Sequence, residues 1–401
     1  MTQKRLLVVS PRFLFPLDQG GRIRTANTLR HLKGGAFHIT LVSPAPPDAA
    51  RWDAEMAGLC DAFETWAEPH ASLPAKILAL AGRLPVAVAS DASDAGRAVV
   101  ARALAAGPDA VLVDFPHAAV LMPDEIAAPT ILFTHNVEAE IFARQVLVTP
   151  LPMRLVWQHE TRKMRRFEGE VVRRYGTIIA VSVRDARALE ATYGVPEVHP
   201  VETGVDTGYY GYRPAVGAVP EGGGTMVFTG AMDSRSNIEG IGFLMNEVWP
   251  RVLQRRPAAR ALIVGRNPPE SLAAAAKARG FDWRFTGFVD DVRPFVAKAH
   301  AYAIPLRVGS GTRIKVFEAM AMGCPVVSTG LGVEGLDVTP GTHYLRADDA
   351  AGFAAALLVL LGDGGRREAL AGAARDLVET RFSWPAVTRR FEEICLLAAG
   401  S

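Results

Sequence analysis

The alternation of short apolar runs with stretches of helical length most limits the folds open to this chain, and it runs twice. Residues 6–9 form an apolar run ended by Ser10 and Pro11, residues 38–42 form another ended by Ser43 and Pro44, and a helix-like segment at 23–32 lies between them. Further buried-strand signatures follow at 110–113, 130–133 and 178–181, each separated by enough chain for a helix. Strand, crossover helix, strand is the pattern of a parallel sheet covered on both faces. From Thr203 to Gly224 glycine and proline crowd together and read as a linker. Beyond it strands are expected at 226–229, 261–264, 283–285, 301–304 and 325–328, and helices at 237–256 and 271–279. The expected fold class is therefore α/β, with two Rossmann-like doubly wound parallel-sheet domains facing across a cleft. They occupy 1–205 and 225–380, joined by a linker at 206–224, and a C-terminal helix over 381–401 packs back on the first domain.

Composition supports this and narrows the function classes. A chain of 401 residues is long enough for two cores. An apolar fraction of 49% with 21% charged residues excludes a disordered chain. A net charge of +2 is not the footprint of a dedicated nucleic-acid binder, so basic residues are read locally. Cys60, Cys324 and Cys395 fit neither a disulfide framework nor a metal knuckle, which suits a reducing cytoplasm. The opening residues lack a signal-peptide core, and no window of about 18 apolar residues exists to span a bilayer. The expected localisation is cytoplasmic, with any membrane contact peripheral at the inner face.

In open parallel sheets ligands sit beyond the carboxyl ends of the strands, so the loops after each strand carry the chemistry. The strongest loop follows the run at 301–304. Gly309, Ser310 and Gly311 lead into a helix expected to start at Thr312, whose free N–H groups and positive dipole end suit a diphosphate. Arg313 and Lys315 put positive charge where helices prefer negative charge, a conflict that a bound anion resolves. Glu318 lies on the same face as Lys315, roughly 9 Å beyond Thr312, in reach of ribose hydroxyls. Taken alone, a Lys–Glu pair at this spacing is also what a solvent-facing helix carries. The loop after 226–229 offers Gly230 and Arg235 to the same anion, although an exposed turn arginine reads equally as surface. Gly20 and Gly21 follow the first strand, and His135 and Glu138 follow the run at 130–133.

The segment from Pro305 to Thr329, with its Ala319-Met320-Ala321-Met322-Gly323-Cys324-Pro325-Val326-Val327 core, resembles the signature of the retaining GT-B glycosyltransferases, family four (glycosyl transferases group 1). The resemblance runs from about residue 6 to about residue 391, specific across 305–329 and diffuse in the first half. It implies that Glu318 holds the donor ribose. It also implies that main-chain groups of Phe288 and Val289 pair with the nucleobase, that Gly20 and Gly21 approach donor phosphate or acceptor, and that His135 touches the donor sugar. Glu138 would orient the acceptor. The family's first glutamate falls eight positions before Glu318, where this chain has Ser310, so the donor-sugar contact differs here. The implied function is transfer of a sugar from a UDP-, GDP- or dTDP-sugar to an acceptor glycan, lipid-linked sugar or small aglycone, with retention. The chain contains no Asp-x-Asp tripeptide of the kind that holds manganese in GT-A transferases, so no metal and no separate cofactor is expected.

A basic run of Arg162, Lys163, Arg165, Arg166, Arg173 and Arg174 is interleaved with apolar residues at helical spacing over 157–175. It reads either as a solvated face paired with Glu160, Glu168 and Glu170 or as a cationic face on anionic lipid. Three rivals stand beside a transferase. An oxidoreductase lacks its G-x-G-x-x-G fingerprint after the first strand. A binder of sugar nucleotides without turnover is favoured by Ser310, and a sugar-nucleotide epimerase shares the architecture.

Overall fold

The computed structural model describes residues 3–70, 72–214, 219–308 and 314–400. Two compact units divide the chain: 1–204 with 387–401, and 205–386. The first holds seven parallel strands in the order β3-β2-β1-β4-β5-β6-β7, the second six in the order β10-β9-β8-β11-β12-β13. In the first unit these are β1 Lys4–Val9, β2 Phe37–Ala45, β3 Ala62–Ala67, β4 Ala110–Asp114, β5 Thr130–Phe133, β6 Thr177–Ala180 and β7 His199–Pro200. In the second they are β8 Gly223–Thr229, β9 Ala258–Val264, β10 Trp283–Phe285, β11 Ala301–Ile304, β12 Val326–Ser328 and β13 Tyr344–Arg346.

The central strands are apolar over most of their length because helices cover both faces of each sheet. Every residue of β4 is buried. Along β8 the alternation sorts the core into two layers: Met226 and Phe228 pack with Trp249 and Phe353, whereas Val227 packs with Tyr302, Ile304 and Phe317. Residues 387–401 complete the first unit, where Phe391 meets Phe133 edge to face at 5.0 Å and Glu392 accepts from the Ala36 N–H.

Strands β3, β7 and β13 are not apparent in the sequence. β3 and β13 lie at sheet edges and β7 has two residues; β3 carries Glu64 and Thr65 and buries only Trp66, so no continuous apolar run marks it. The helix expected at 237–256 is broken by a π turn at Leu244–Val248, between Arg235–Phe243 and Trp249–Arg255. Pro250 has no N–H to give the regular ladder, and the wider turn absorbs the missing bond. The stretch read as linker is partly fixed structure. Tyr210 and Thr207 give their carbonyls to Arg375, Tyr209 gives its carbonyl to Arg293, and Gly223 and Gly224 already belong to β8.

Each sheet reverses its strand order once, between β1 and β4 in the first unit and between β8 and β11 in the second. Adjacent loops at such a reversal depart to opposite faces and leave a crevice beyond the strand ends, where ligands of open α/β sheets bind.

Candidate functional site

In the second unit, the two loops picked from the sequence follow the two strands that flank the reversal. β8 ends at Thr229 and runs through Gly230 into the Arg235–Phe243 helix; β11 ends at Ile304 and leads toward the Ile314–Ala321 helix. Asn237 ties them together. Its Nδ2 donates to the Ala231 carbonyl at 2.8 Å, and its Oδ1 accepts from Lys315 Nζ at 3.4 Å. The Lys315 ammonium also lies 4.8 Å from the Phe228 ring centroid, a cation–π contact that holds the charge beside the end of β8. A Cβ on Gly240 would come 2.8 Å from the Pro305 carbonyl, so this helix rides directly on the chain leaving β11.

Glycines bring three strand ends together. Gly230 has φ +155°, which side chains rarely adopt, and Gly265 at the end of β9 approaches it so closely that an added Cβ would sit 1.8 Å from the Gly230 oxygen. Gly265 pairs in turn with Gly287 in an antiparallel bridge. The backbone thus converges at the carboxyl edge of β8, β9 and β10 with no side chain between. Gly265 was not singled out from the sequence; its only trace there is a lone glycine closing an apolar strand.

Glu318 stands one turn after Lys315 on the Ile314–Ala321 helix. Burial pushes its carboxyl above the usual range, opposed by the Tyr210 hydroxyl, which donates at 2.9 Å, and by Lys315. Tyr210 comes from the supposed linker and stacks edge to face on Tyr209. Arg235 opens its helix exposed, with no hydrogen-bond or ion-pair partner among the described residues. Phe288 is 73% exposed, while Val289 packs on the core. Gly309, Ser310, Gly311, Thr312 and Arg313 lie outside the described residues.

The first unit's reversal is built around Asp114, the fully buried last residue of β4. It accepts from Ser10 Oγ at 2.9 Å, Thr25 Oγ1 at 2.9 Å and His135 Nε2 at 2.7 Å. Arg24 Nη1 approaches His135 Nδ1 at 3.1 Å and can only donate, so Nδ1 carries the lone pair and the ring proton sits on Nε2. Burial lowers the His135 pKa, which agrees with a neutral ring. His135 is 2% exposed and both nitrogens are taken, so what it offers a neighbour is its face. Phe115 covers that face, stacked at 3.8 Å, with a positive φ of 65° unusual for so bulky a residue. The same Phe115 ring lies where a Cβ on Gly21 would go, 2.4 Å from its Cζ. Gly20 and Gly21 form the first turn of the Gly20–Leu32 helix rather than a free loop, with residues 10–19 between that helix and the end of β1 at Val9.

The basic run lies on the Met153–Arg174 helix, and of its expected carboxylate partners Glu160 and Glu170 pair with it, Glu160 in the interior, while Glu168 does not. Lys163 is buried, bonded to Glu160 and to the carbonyls of Ala79 and Leu80. Only Glu170 meets the exposed arginines, through Arg166 at 2.9 Å and Arg83 at 3.1 Å. Glu168 points inward and caps the Glu138–Val148 helix, accepting from the N–H groups of Glu138 at 2.7 Å and Ala139 at 3.1 Å and from the Tyr193 hydroxyl at 2.6 Å. Glu138 is thereby fixed in a buried first turn, its side chain 3.5 Å from Asn136 Nδ2. Burial pushes the Glu168 carboxyl up to about 6 from an ordinary 4.5. The folded state therefore binds this proton more tightly than the unfolded chain. The stabilisation is complete below about pH 4.5 and falls as pH rises through 6, by about 2 kcal/mol in all. Glu168→Gln should erase that loss, and unfolding free energies of both forms that fell in parallel across the window would refute it.

Comparison with known proteins bears on both units. The family model described as glycosyl transferases group 1 matches residues 223–363. The phosphatidyl-myo-inositol mannosyltransferase of Mycobacterium leprae (strain TN) is 30% identical over 198 residues, 48% of this chain and 52% of that protein. A GDP-mannose-dependent monoacylated alpha-(1-6)-phosphatidylinositol monomannoside mannosyltransferase of Corynebacterium glutamicum is 32% identical over 158 residues, 37% of this chain and 42% of that one. The chain thus spans about half the length of the curated relatives it matches. Among solved structures, sucrose-phosphate synthase from Thermosynechococcus elongatus superposes with a TM-score of 0.66 at 15% identity, covering 100% of both chains, which speaks for the fold alone. By fold the chain is of the GT-B type, two parallel-sheet α/β units, and residues 223–363 of the second carry the match to glycosyl transferases group 1.

Proposed function

We propose that the protein is a glycosyltransferase that moves a sugar from a nucleoside diphosphate to an acceptor hydroxyl, with the donor held by the second unit beyond β8 and β11. The observation that carries this reading is the coupling of the two reversal loops by Lys315 and Asn237, with Glu318 half-buried one turn away. In it Glu318 accepts from ribose hydroxyls, and Lys315, Arg313 and the exposed Arg235 face the diphosphate. Charge that develops on the departing diphosphate is then met by fixed cations and amides, which is how such a site lowers a barrier. Main-chain groups of Phe288 and Val289 face the base, and transfer proceeds with retention and without metal. In the first unit His135 acts as a positioning residue, held by Asp114 and Arg24, and Glu138 orients the acceptor. That two relatives bear names of mannosyl transfer to phosphatidylinositol lipids supports a lipid-linked acceptor, and a GDP-sugar is the first donor to try. Ser310, in place of the family's first glutamate, favours a second reading in which sugar nucleotides bind without turnover.

Calorimetric titration with GDP, UDP and dTDP tests the site, and labelled sugar nucleotides test the reaction. Glu318→Ala should weaken nucleotide binding on the order of 10- to 100-fold, the size of one or two hydrogen bonds to a charged group. Tyr210→Phe removes the hydroxyl but keeps the carboxylate, and should retain affinity within a few fold. Equal losses in the two variants would mean that the pair serves structure alone. Lys315→Ala should cost about 2–5 kcal/mol of donor binding or barrier if its contact is desolvated. Saturable binding with neither transfer nor slow hydrolysis would establish the second reading.

A further inference from the structure

The first unit leaves a graded face, apolar at one end and cationic at the other, that neither the donor site nor the buried network explains. The Glu138–Val148 and Met153–Arg174 helices form a hairpin closed by Phe142 against Trp157 at 5.5 Å. Its tip exposes Leu147 (76%), Val148, Leu151 and Leu155. Beside it the Leu73–Ala81 helix buries none of its residues although Lys76 is its one charge, and it shows Leu73 and Leu78 to solvent. The two are joined where His159 and Lys163 bond the carbonyls of Ala79 and Leu80. Isolated exposed leucines are ordinary, but a cluster drawn from two elements marks an interaction surface.

The helical repeat places Leu155, Arg162, Arg166 and Arg173 on one stripe of the Met153–Arg174 helix. With Arg165, these arginines line a 570 Å³ groove whose one carboxylate is Glu170. Arg162 and Arg165 have no ion-pair partner among the described residues. Leu155 and Arg162 are seven residues apart, roughly 10 Å along the axis. With the hairpin standing tip-first on the surface, that axial separation sets the leucines among acyl chains while the guanidiniums stay at phosphate level.

We propose that this face docks on an anionic phospholipid bilayer, with the hairpin tip and the Leu73–Ala81 helix inserted among acyl chains and the guanidinium stripe on lipid phosphates. A second copy of the chain fits less well, because a two-fold pairing would set two cationic grooves beside each other. The proposal corrects the simpler expectation for the basic helix: Lys163 lies inside, and the apolar part comes from the tip before residue 157. It does not depend on the transfer reading.

Vesicle flotation with the full chain tests it without donor or turnover. The protein should float with vesicles of phosphatidylcholine mixed with phosphatidylglycerol, less with phosphatidylcholine alone, and less as salt rises. Arg162→Gln, Arg166→Gln and Arg173→Gln together should lower partition by roughly fivefold per guanidinium, mostly for anionic vesicles. Leu151→Ser with Leu155→Ser should lower it on the order of tenfold per leucine for both compositions. All variants should melt like the parent, since the side chains changed are exposed, and should bind nucleotide unchanged. No flotation of the parent with anionic vesicles, or variants that float like it, overturns the proposal. So does a leucine variant whose only effect is to split a concentration-dependent dimer, which would assign the face to a second copy.

Discussion

Asp114→Ala is expected to remove about 3–5 kcal/mol from the stability of the first unit, the usual cost of taking one partner from a buried charged network. The carboxylate has no exposure and receives three hydrogen bonds, from Ser10, Thr25 and His135. Alanine would strand the Thr25 hydroxyl at the centre of the sheet and leave the His135 N–H only the long contact to Thr25 Oγ1 at 3.4 Å, while Ser10 turns its proton to the Arg12 carbonyl at 3.1 Å. The loss would spread through His135 to Arg24, whose pKa burial has already lowered to about 10 and whose Nε donates to Thr203 at 2.7 Å. Asp114→Asn keeps one acceptor oxygen and should cost less. Native-state hydrogen exchange resolves the effect by unit: amides of β4 and β5 should lose protection by that amount while those of β8 and β11 keep theirs. Nucleotide binding, which we propose for the second unit, should persist. A loss below about 1 kcal/mol would show that the network relaxes around a missing charge and that Asp114 is not its centre.

What the sequence discloses follows from what periodicity can report. Buried parallel strands announce themselves as apolar runs, so β5 and β11 fall at their expected residues, 130–133 and 301–304, while the edge strand β10 is found at 283–285 by its two aromatics, Trp283 and Phe285. The edge strands β3 and β13 do not, because one covered side leaves their pattern mixed. Lys315 and Glu318 are legible from helical spacing and from a recognisable segment. Their partners Asn237 and Tyr210, 78 and 108 residues away, are not, since no local pattern encodes a contact between distant segments that meet only in the fold. His135 shows the opposite limit. The sequence places it correctly after a buried strand, yet whether its nitrogens face a ligand or the interior is decided by Asp114 and Arg24, which arrive from other strands and helices.

Gly265→Ala should be the most damaging single methyl group in the second unit. The added carbon would lie 1.8 Å from the Gly230 oxygen, and the obstruction is backbone rather than a side chain that can swing away. Gly230 cannot retreat freely, because its N–H donates to the Val264 carbonyl at 2.9 Å and Asn237 Nδ2 would stand 2.9 Å from its own Cβ position. Relief requires the loop after β8 or the one after β9 to shift, at a cost of about 1–3 kcal/mol or more for an overpacked interior. Either shift moves amides that face the candidate diphosphate position, so nucleotide affinity should fall together with the melting temperature. Gly242→Ala is the matched control: it lies in the Arg235–Phe243 helix with nothing within 4 Å, and should instead stabilise by about 0.5–1 kcal/mol through helix propensity while leaving binding intact. If Gly265→Ala bound nucleotide as the parent does despite a lowered melting temperature, the backbone beyond β8 and β9 would be packing and not a phosphate cradle, and the donor would have to rest on β11 alone.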